Sequence, residues 1–224
     1  MIERDANEEI EMTIDPVQAV KAIAREVRSG ERDGKPTKVA VASRIYDTTP
    51  DDLWDAITSA ERIPRWFLPI SGDLKLGGRY QLQGNAGGTI TGCDPPRHLA
   101  LTWEYGGQVS WVDLRLSADG KRTRLELEHA AHVPEDLWAQ YGPGAVGVGW
   151  DLGLNGLARH IETGKAMNPA EGVAWLGTPE GKRFVTASSD GWGQASIADG
   201  TERDAALAAA KRTTAAYTGA GEQA

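Results

Sequence analysis

The sequence contains a single cysteine, Cys93, among its 224 residues. One cysteine excludes a disulfide within the chain and any zinc site built from several cysteines. No apolar run approaches the roughly 20 residues that a membrane-spanning helix needs. The acidic start of the chain, MIERDANEEIEM, lacks the basic and apolar regions of a signal peptide. We therefore expect a cytoplasmic protein, in a reducing compartment and with no membrane contact.

Basic residues are outnumbered, because 24 lysines and arginines stand against 32 aspartates and glutamates, for a net charge of −8. Nucleic-acid binding depends largely on contacts between basic side chains and phosphates, and anionic membrane surfaces attract basic segments. The charge balance therefore argues against both partners. The sequence also lacks the GxSxG, P-loop, kinase and HExxH patterns of several large enzyme classes.

The middle of the chain, 37–164, carries the strongest pattern. TKVAVASRIYD alternates as a strand does, and TPDDLWDAITSAERIPRWF follows as two short helices. Five more strand-like runs come at the roughly 8–12-residue spacing of antiparallel sheets, with Asp119-Gly120 as the clearest hairpin. A long amphipathic helix ends at Gly164, and its apolar face comprises Val146, Trp150, Leu154, Leu157 and Ile161. The order β-α-α-β-β-β-β-β-α predicts an α+β fold.

Two extensions flank this domain. The N-terminal extension, 1–36, predicts one helix over 16–28, capped by Asp15, with an apolar face of Val17, Val20, Ala24 and Val27. The C-terminal extension, 165–224, predicts helices from about Pro179 to Ile197 and from Glu202 to Tyr217. On the first of these, one face carries Phe184, Val185, Ser188 and Trp192. We expect the C-terminal helices to pack on the middle domain, because they have too little bulk to fold alone.

Several residues of the middle segment occur in an order typical of one superfamily. They are Pro50, Trp54, Pro64, Trp66, Gly77-Gly78, Tyr80, Pro95, Leu99, Trp103, Thr123-Arg124-Leu125, His129, Gly149-Trp150, Leu154 and Leu157. Over about residues 38–164 the chain resembles the START-like helix-grip superfamily (SRPBCC), in the bacterial branch similar to activators of the heat-shock-protein-90 ATPase.

The resemblance implies a helix-grip fold, in which a curved antiparallel sheet wraps around the long C-terminal helix, with added terminal helices here. It also implies a cavity for an apolar or amphipathic small molecule between sheet and helix. It implies no shared reaction, because one fold hosts many functions. Pockets are commonly walled by aromatic and apolar side chains. The residues that we expect to line this cavity are Trp66, Tyr80, Leu101, Trp103, His129, Trp150, Leu154 and Leu157.

Three further features receive simple interpretations. GPGAVG at 142–147 has the spacing of a dinucleotide loop, but no strand precedes it, so we predict only the flexible start of a helix. His129 and His132 lie three residues apart, which places them on opposite faces of a strand, so we expect no metal and no cofactor. His129 is either a polar group at the cavity mouth or a structural histidine. Cys93 has no basic neighbour in sequence to activate it as a nucleophile.

Charged side chains on the strands bear on catalysis. A carboxylate inside an apolar cavity would have a raised pKa and could act as an acid or base. Arg79, Glu104 and Asp113 are the groups whose burial would reveal this, and we expect them at the surface. Trp111 shares a strand face with charged residues, so we expect it outside the cavity.

Three functions remain open. The first is a module that binds a small hydrophobic ligand. The second is a co-chaperone-like or stress-response domain that binds a chaperone or another protein. The third is an enzyme of cyclase, dehydratase or hydrolase type, which needs convergent ionisable groups that the sequence does not show. We therefore predict no catalytic residues and favour ligand binding, in a monomer or a homodimer.

Overall fold

The computed structural model describes residues 15–219, and its centre is an eight-stranded antiparallel sheet. The strands lie in the order β1-β2-β8-β7-β6-β5-β4-β3. Their bounds are β1 Ala24–Arg32, β2 Lys35–Tyr46, β3 Ile70–Gly72, β4 Arg79–Leu82, β5 Gly87–Asp94, β6 His98–Tyr105, β7 Gln108–Asp119 and β8 Arg122–Ala131. The helices are α1 Pro16–Lys21, α2 Pro50–Thr58, α3 Glu135–Tyr141, α4 Gly144–Thr163, α5 Pro169–Leu176, α6 Pro179–Ala198 and α7 Arg203–Thr218, with a 3-10 turn at Ile63–Arg65.

The long helix α4 packs in the grip of the curved sheet. Leu154 and Leu157 of α4 share one buried cluster with Ala40, Ala42 and Leu125 of the sheet. Burial of these apolar surfaces is the main force that holds helix and sheet together. The predicted α+β helix-grip fold is confirmed, and so is the end of α4 at Gly164, which adopts a left-handed conformation.

Two glycines of α4 allow other elements to approach its backbone. A Cβ atom at Gly147 would lie 2.2 Å from the Cε2 atom of Trp192, and one at Gly156 would lie 2.6 Å from the Trp66 carbonyl oxygen. Neither distance is compatible with a side chain. The glycines of the 142–147 motif therefore serve packing and the α3–α4 connection, and the motif follows a helix rather than the strand that a dinucleotide site requires.

The predicted helix over 16–28 is wrong beyond Lys21. Asp15 caps α1 as expected, because its side chain accepts a hydrogen bond from the Val17 N–H. Residues 24–32, however, form strand β1, which pairs with β2 through a turn whose Asp33 and Gly34 both have positive φ. The local helical spacing is overridden here because residues 24–32 form a full ladder of hydrogen bonds with β2.

A buried polar cluster ties β1 and α6 to α4. The Asp151 side chain is fully buried, and its Oδ2 atom accepts hydrogen bonds from Arg25, Ser188 and the Trp192 indole. The Arg25 Nη2 atom lies 2.8 Å from this oxygen. Burial raises the pKa of the Asp151 carboxyl, while the positive charge of Arg25 and the three donors oppose that rise.

The two predicted C-terminal helices are present as α6 and α7. Helix α6 begins after Thr178, whose hydroxyl caps it, and its buried face includes all four residues expected there. Strand β3 and helix α5 were not predicted, because each is too short to carry a periodic pattern. None of the helices within residues 15–219 combines the length and hydrophobicity needed to cross a membrane.

Candidate functional site

A cavity of about 230 Å³ lies at one end of the grip, enclosed by α2, the 3-10 turn, strands β3–β7 and one residue of α4. Its walls are almost entirely apolar, and none of the described residues that line it is acidic, basic or a histidine. The lining comprises Trp54, Ile57, Thr58, Ile63, Trp66, Phe67, Ile70, Leu74, Tyr80, Leu82, Ile90, Cys93, Leu99, Leu101, Trp103, Val112, Leu114 and Trp150.

Aromatic rings form a continuous part of this wall. The rings of Trp66 and Phe67 have centroids 5.4 Å apart with an interplanar angle of 27°, and Phe67 and Trp150 follow at 6.4 Å and 16°. Trp103 meets Trp150 at 4.9 Å with a tilt of 60°. Offset and tilted pairs of this kind are favourable arrangements of aromatic quadrupoles. The result is a wall with three nearly parallel rings.

The polar groups of three cavity aromatics are hydrogen-bonded within the protein. The Trp66 indole N–H donates to the Ala56 carbonyl at 2.9 Å, and the Tyr80 hydroxyl donates to the Thr102 carbonyl at 2.8 Å. Burial raises the pKa of Tyr80, so its hydroxyl stays protonated at neutral pH. These bonds fix the positions of the two rings in the cavity wall.

A third bond of this kind connects the cavity wall to a buried histidine. The Trp150 indole N–H donates to His129 Nδ1 at 2.9 Å, so this nitrogen must be the unprotonated one. His129 Nε2 then donates to the Ser110 hydroxyl at 2.8 Å, which donates to the Trp103 carbonyl at 3.1 Å. Through His129 and Ser110, these bonds connect the Trp150 indole to the backbone of Trp103, the other tryptophan of this pair in the cavity wall.

Burial lowers the pKa of His129 to about 4. The cause is desolvation, which disfavours the charged imidazolium. A neutral ring is also what the indole bond requires, since Trp150 needs an acceptor. His129 therefore supports the cavity wall as a neutral acceptor and donor at neutral pH.

The charged residues considered for catalysis lie outside the cavity. Arg79 and Glu104 form an ion pair at 2.8 Å on the exposed face of the sheet, and the hydrogen bond from Arg79 lowers the pKa of Glu104. Asp113 lies 2.7 Å from His98 on the same outer face. The Trp111 ring also lies outside the cavity, with the Arg32 guanidinium 4.2 Å from its centroid. Arg79, Glu104 and Asp113 therefore do not belong to the cavity lining.

The structure brings together five of the eight residues predicted for the cavity: Trp66, Tyr80, Leu101, Trp103 and Trp150. His129 lies behind Trp150 rather than at the mouth. Leu154 and Leu157 belong to the packed core under α4. The helical spacing that selected these two leucines marks the whole buried face of α4, and only Trp150 on that face reaches the cavity.

Several lining residues were missed. Val112 and Leu114 lie on the strand face opposite Trp111, so alternation along β7 was a usable signal. Phe67 and Leu74 lie in connections without a periodic pattern, and only the fold brings them to the cavity. Cys93 is exposed and lies on the lining as well.

The two histidines of the EHAAH motif do not act together. His132 Nδ1 lies 2.9 Å from the Pro36 carbonyl oxygen, whereas His129 bonds to Trp150 and Ser110. Across the part of the chain that the structure describes, no group of three or more His, Cys, Asp or Glu side chains is placed to hold a metal ion.

Comparison with known proteins assigns the chain to a family. The model of the family described as activator of Hsp90 ATPase homolog 1-like protein matches residues 47–162. CalU16 from Micromonospora echinospora is 34% identical, and the alignment with its crystal structure covers 78% of this chain and 98% of that chain with a TM-score of 0.63. The chain belongs to the activator of Hsp90 ATPase homolog 1-like family.

Other comparisons agree on the fold. The solution structure of CalU16 aligns over 80% of this chain and 97% of that chain at 34% identity, with a TM-score of 0.66. A conserved protein of unknown function from Enterococcus faecalis is 19% identical and covers 72% of this chain and 92% of its own, with a TM-score of 0.53, which shows the fold alone. None of the curated proteins compared with this chain matches it.

The cavity lies wholly within the family segment. Its lining runs from Trp54 to Trp150, inside the matched residues 47–162. The polar cluster around Asp151, by contrast, joins the family segment to β1 and α6, which lie outside the match. The candidate site is therefore a feature of the family domain, and the flanking elements brace the other side of α4.

Proposed function

We propose that this protein binds a small apolar or amphipathic molecule in the cavity between the sheet and α4. The observation that carries the proposal is an apolar cavity in which the polar groups of three wall aromatics, Trp66, Tyr80 and Trp150, are already hydrogen-bonded inside the protein. A ligand entering it meets mostly aromatic and aliphatic side chains and need not displace these three hydrogen bonds. Apolar contact is the expected source of affinity.

The size of the cavity favours a compact ligand. Drug-sized molecules occupy pockets of roughly 300–1,000 Å³, and an apolar cavity of about 150 Å³ accepts benzene. A cavity of about 230 Å³ lies between these values. One or two fused rings, or an alkyl chain of similar bulk, match this space.

The shape of the wall favours a flat ligand. Trp66, Phe67 and Trp150 present nearly parallel rings, with interplanar angles of 27° and 16° between neighbours. A planar ring can adopt an offset-stacked arrangement against such a wall, which adds about 0.5–1.5 kcal/mol beyond area burial. We therefore expect planar compounds to bind more tightly than saturated compounds of equal volume.

A titration with 2-naphthol tests the proposal, with quenching of tryptophan fluorescence as the signal. We expect saturable binding of one equivalent to the full chain. Leu101→Trp fills the cavity and should weaken binding at least tenfold, and Ile90→Phe is a milder substitution with the same purpose. Val109→Trp, on an exposed position outside the cavity, is the matched control and should bind as the parent does. Equal affinity in the filled and control variants would contradict the proposal.

The family's description favours one second function, contact with a chaperone ATPase. We infer that such contact would use the outer surface rather than the apolar cavity, so the two functions can be separated. ATP turnover by an Hsp90-type chaperone, measured with stoichiometric amounts of this protein, tests it. Stimulation that Leu101→Trp leaves unchanged would support an interaction independent of the cavity, and no stimulation would reject the chaperone function.

A further inference from the structure

A separate cavity, lined largely by charged side chains, lies near the C-terminal end of α4. It has a volume of about 220 Å³ and lies between the end of β2, the start of β8 and the last turns of α4. It shares no lining residue with the apolar cavity. Two arginines and two carboxylates line it, and these are Arg44, Arg122, Asp47 and Glu162.

Arg44 is the unusual member of this set. Only 7% of the residue is exposed, and it lies on the face of β2 that is directed toward α4. Its hydrogen bonding is sparse, because Nη1 reaches Asn155 Oδ1 at 3.4 Å and the guanidinium carbon lies 5.8 Å from the Tyr46 ring centroid. Within residues 15–219 no carboxylate forms an ion pair with it.

This arrangement leaves a buried positive charge poorly compensated. A guanidinium carries five N–H donors and stays charged at all physiological pH values. Buried charges are normally paired, since removal of a charge from water is costly unless an opposite charge and hydrogen bonds replace the water. Arg25, the other buried arginine considered above, has such a partner in Asp151. Arg44 is thus positioned to receive an anion.

The remaining charges of the cavity restrict what kind of anion fits. Arg122 is exposed and already pairs with Asp119 at 2.8 Å. Asp47 and Glu162 are also exposed at the rim, where their negative charges oppose a dianion. A planar group with one negative charge matches the guanidinium fork, because a carboxylate accepts two parallel N–H bonds.

We propose that the cavity beside Arg44 binds a small monocarboxylate, with the carboxylate on the Arg44 guanidinium. Binding here is independent of the apolar ligand, because the two cavities share no lining residue. The occupant is a small molecule rather than a peptide, because 220 Å³ admits no more than a compact ring or a short alkyl chain beside the carboxylate. Asn155, which already contacts Arg44, lies beside the bound group.

The test is a titration of the full chain with sodium propionate, followed by ¹H–¹⁵N NMR at constant ionic strength. The Arg44 Nε–H and Asn155 side-chain amide signals should move and saturate. In Arg44→Lys, which keeps the charge but loses the planar fork, the Asn155 signal should require at least tenfold more propionate. Arg124→Lys, an exposed arginine beside Glu126, is the matched control and should titrate as the parent does.

Two further measurements test the alternatives that the site binds phosphate or that Arg44 pairs with Glu162. Inorganic phosphate at equal concentration should shift these signals at least tenfold less than propionate, and an equal or larger effect overturns the assignment of a carboxylate. Glu162→Gln should leave propionate binding intact or tighten it, because a competing negative charge is removed. If Glu162→Gln alone moves the Arg44 signal and propionate moves nothing in the parent, Arg44 pairs with Glu162 in solution and the proposal fails.

Discussion

Adjacent residues of α4 face two different environments. Trp150 forms part of the wall of the apolar cavity, whereas Asp151 is fully buried in the polar cluster with Arg25, Ser188 and Trp192. On the first side, aromatic rings enclose space that a small molecule can fill. On the second side, charge, hydrogen bonds and a glycine contact leave the helix fixed against its neighbours.

The comparison distinguishes a side of α4 that encloses a cavity from a side on which a polar cluster holds the helix in place. Protein interiors are close-packed, so an unfilled apolar volume costs stability that a packed core would recover. On the α6 side, Gly147 admits the Trp192 ring directly against the helix backbone, so the packing next to Asp151 is close. A cavity of about 230 Å³ lies farther along that side, and small residues such as Gly144, Ser189 and Gly193 contribute much of its lining. The cavity between the sheet and α4 therefore differs from the α6-side cavity in its largely aromatic and aliphatic lining rather than in its volume.

We expect the largest loss of stability from a substitution in the polar cluster around Asp151. Asp151→Ala leaves the Arg25 guanidinium buried without its partner, and removal of one member of a buried pair costs about 3–5 kcal/mol. Urea denaturation should show a loss of this size in the free energy of unfolding. Asp199→Ala, an exposed position at the end of α6, should change it by less than about 0.5 kcal/mol. Similar losses in both variants would mean that the Asp151 cluster is not a special support.

We expect an intermediate loss of stability at acid pH, where His129 behind the cavity wall becomes protonated. The pKa of His129 is about 4 in the folded protein against 6.5 for an unperturbed histidine, so the unfolded chain binds more protons between these pH values. The stabilising contribution of neutral His129 is therefore complete above pH 6.5 and is lost as the pH falls toward 4. At about 1.4 kcal/mol per pKa unit, the loss is about 3 kcal/mol.

Chemical denaturation at several pH values measures this loss. His129→Gln keeps a donor and an acceptor but does not titrate, so its unfolding free energy should fall less between pH 6.5 and 4 than that of the parent. His132→Gln should retain the parent's dependence. An unchanged acid dependence in His129→Gln would show that this histidine does not control the stability of the cavity wall.

The smallest of the three effects compares two glycines of α4. Gly147→Ala places a Cβ atom against Trp192 and should destabilise the protein by about 1–3 kcal/mol. At Gly153 the nearest atom is Phe67 Cε2 at 3.4 Å, an ordinary contact. Gly153→Ala should therefore be neutral or stabilise by up to about 1 kcal/mol, as Ala does in helices. Thermal unfolding of both variants checks the difference, and equal melting temperatures would contradict it.

Much of the fold was predictable because local periodicity agrees with the tertiary contacts. Alternation marks β2 and β6–β8, and steps of three and four residues mark α4 and α6. The N-terminal region failed because Val17, Val20, Ala24 and Val27 happen to follow helical spacing while 24–32 pairs with β2. Strand pairing depends on a partner elsewhere in the chain, and spacing within one segment does not report it.

The candidate site was predictable only in part for a similar reason. Apolar periodicity identifies buried residues, and it selects Leu154 and Leu157 of the core as readily as Trp150 of the cavity. Which buried face leaves space depends on how α2 and the 3-10 turn cross the sheet. Arg44 carried no signal at all, because a charged residue in an alternating strand is ordinarily read as exposed.

The most direct test of the cavity uses the eight tryptophans as reporters. Four line the cavity, and four lie elsewhere; the first group is Trp54, Trp66, Trp103 and Trp150, and the second is Trp111, Trp138, Trp175 and Trp192. We would record the indole N–H signals by ¹H–¹⁵N NMR while 2-naphthol is added to the full chain. The account predicts that the signals of the first group shift and those of the second stay in place. Shifts confined to the second group, or no shift at saturating 2-naphthol, would contradict it.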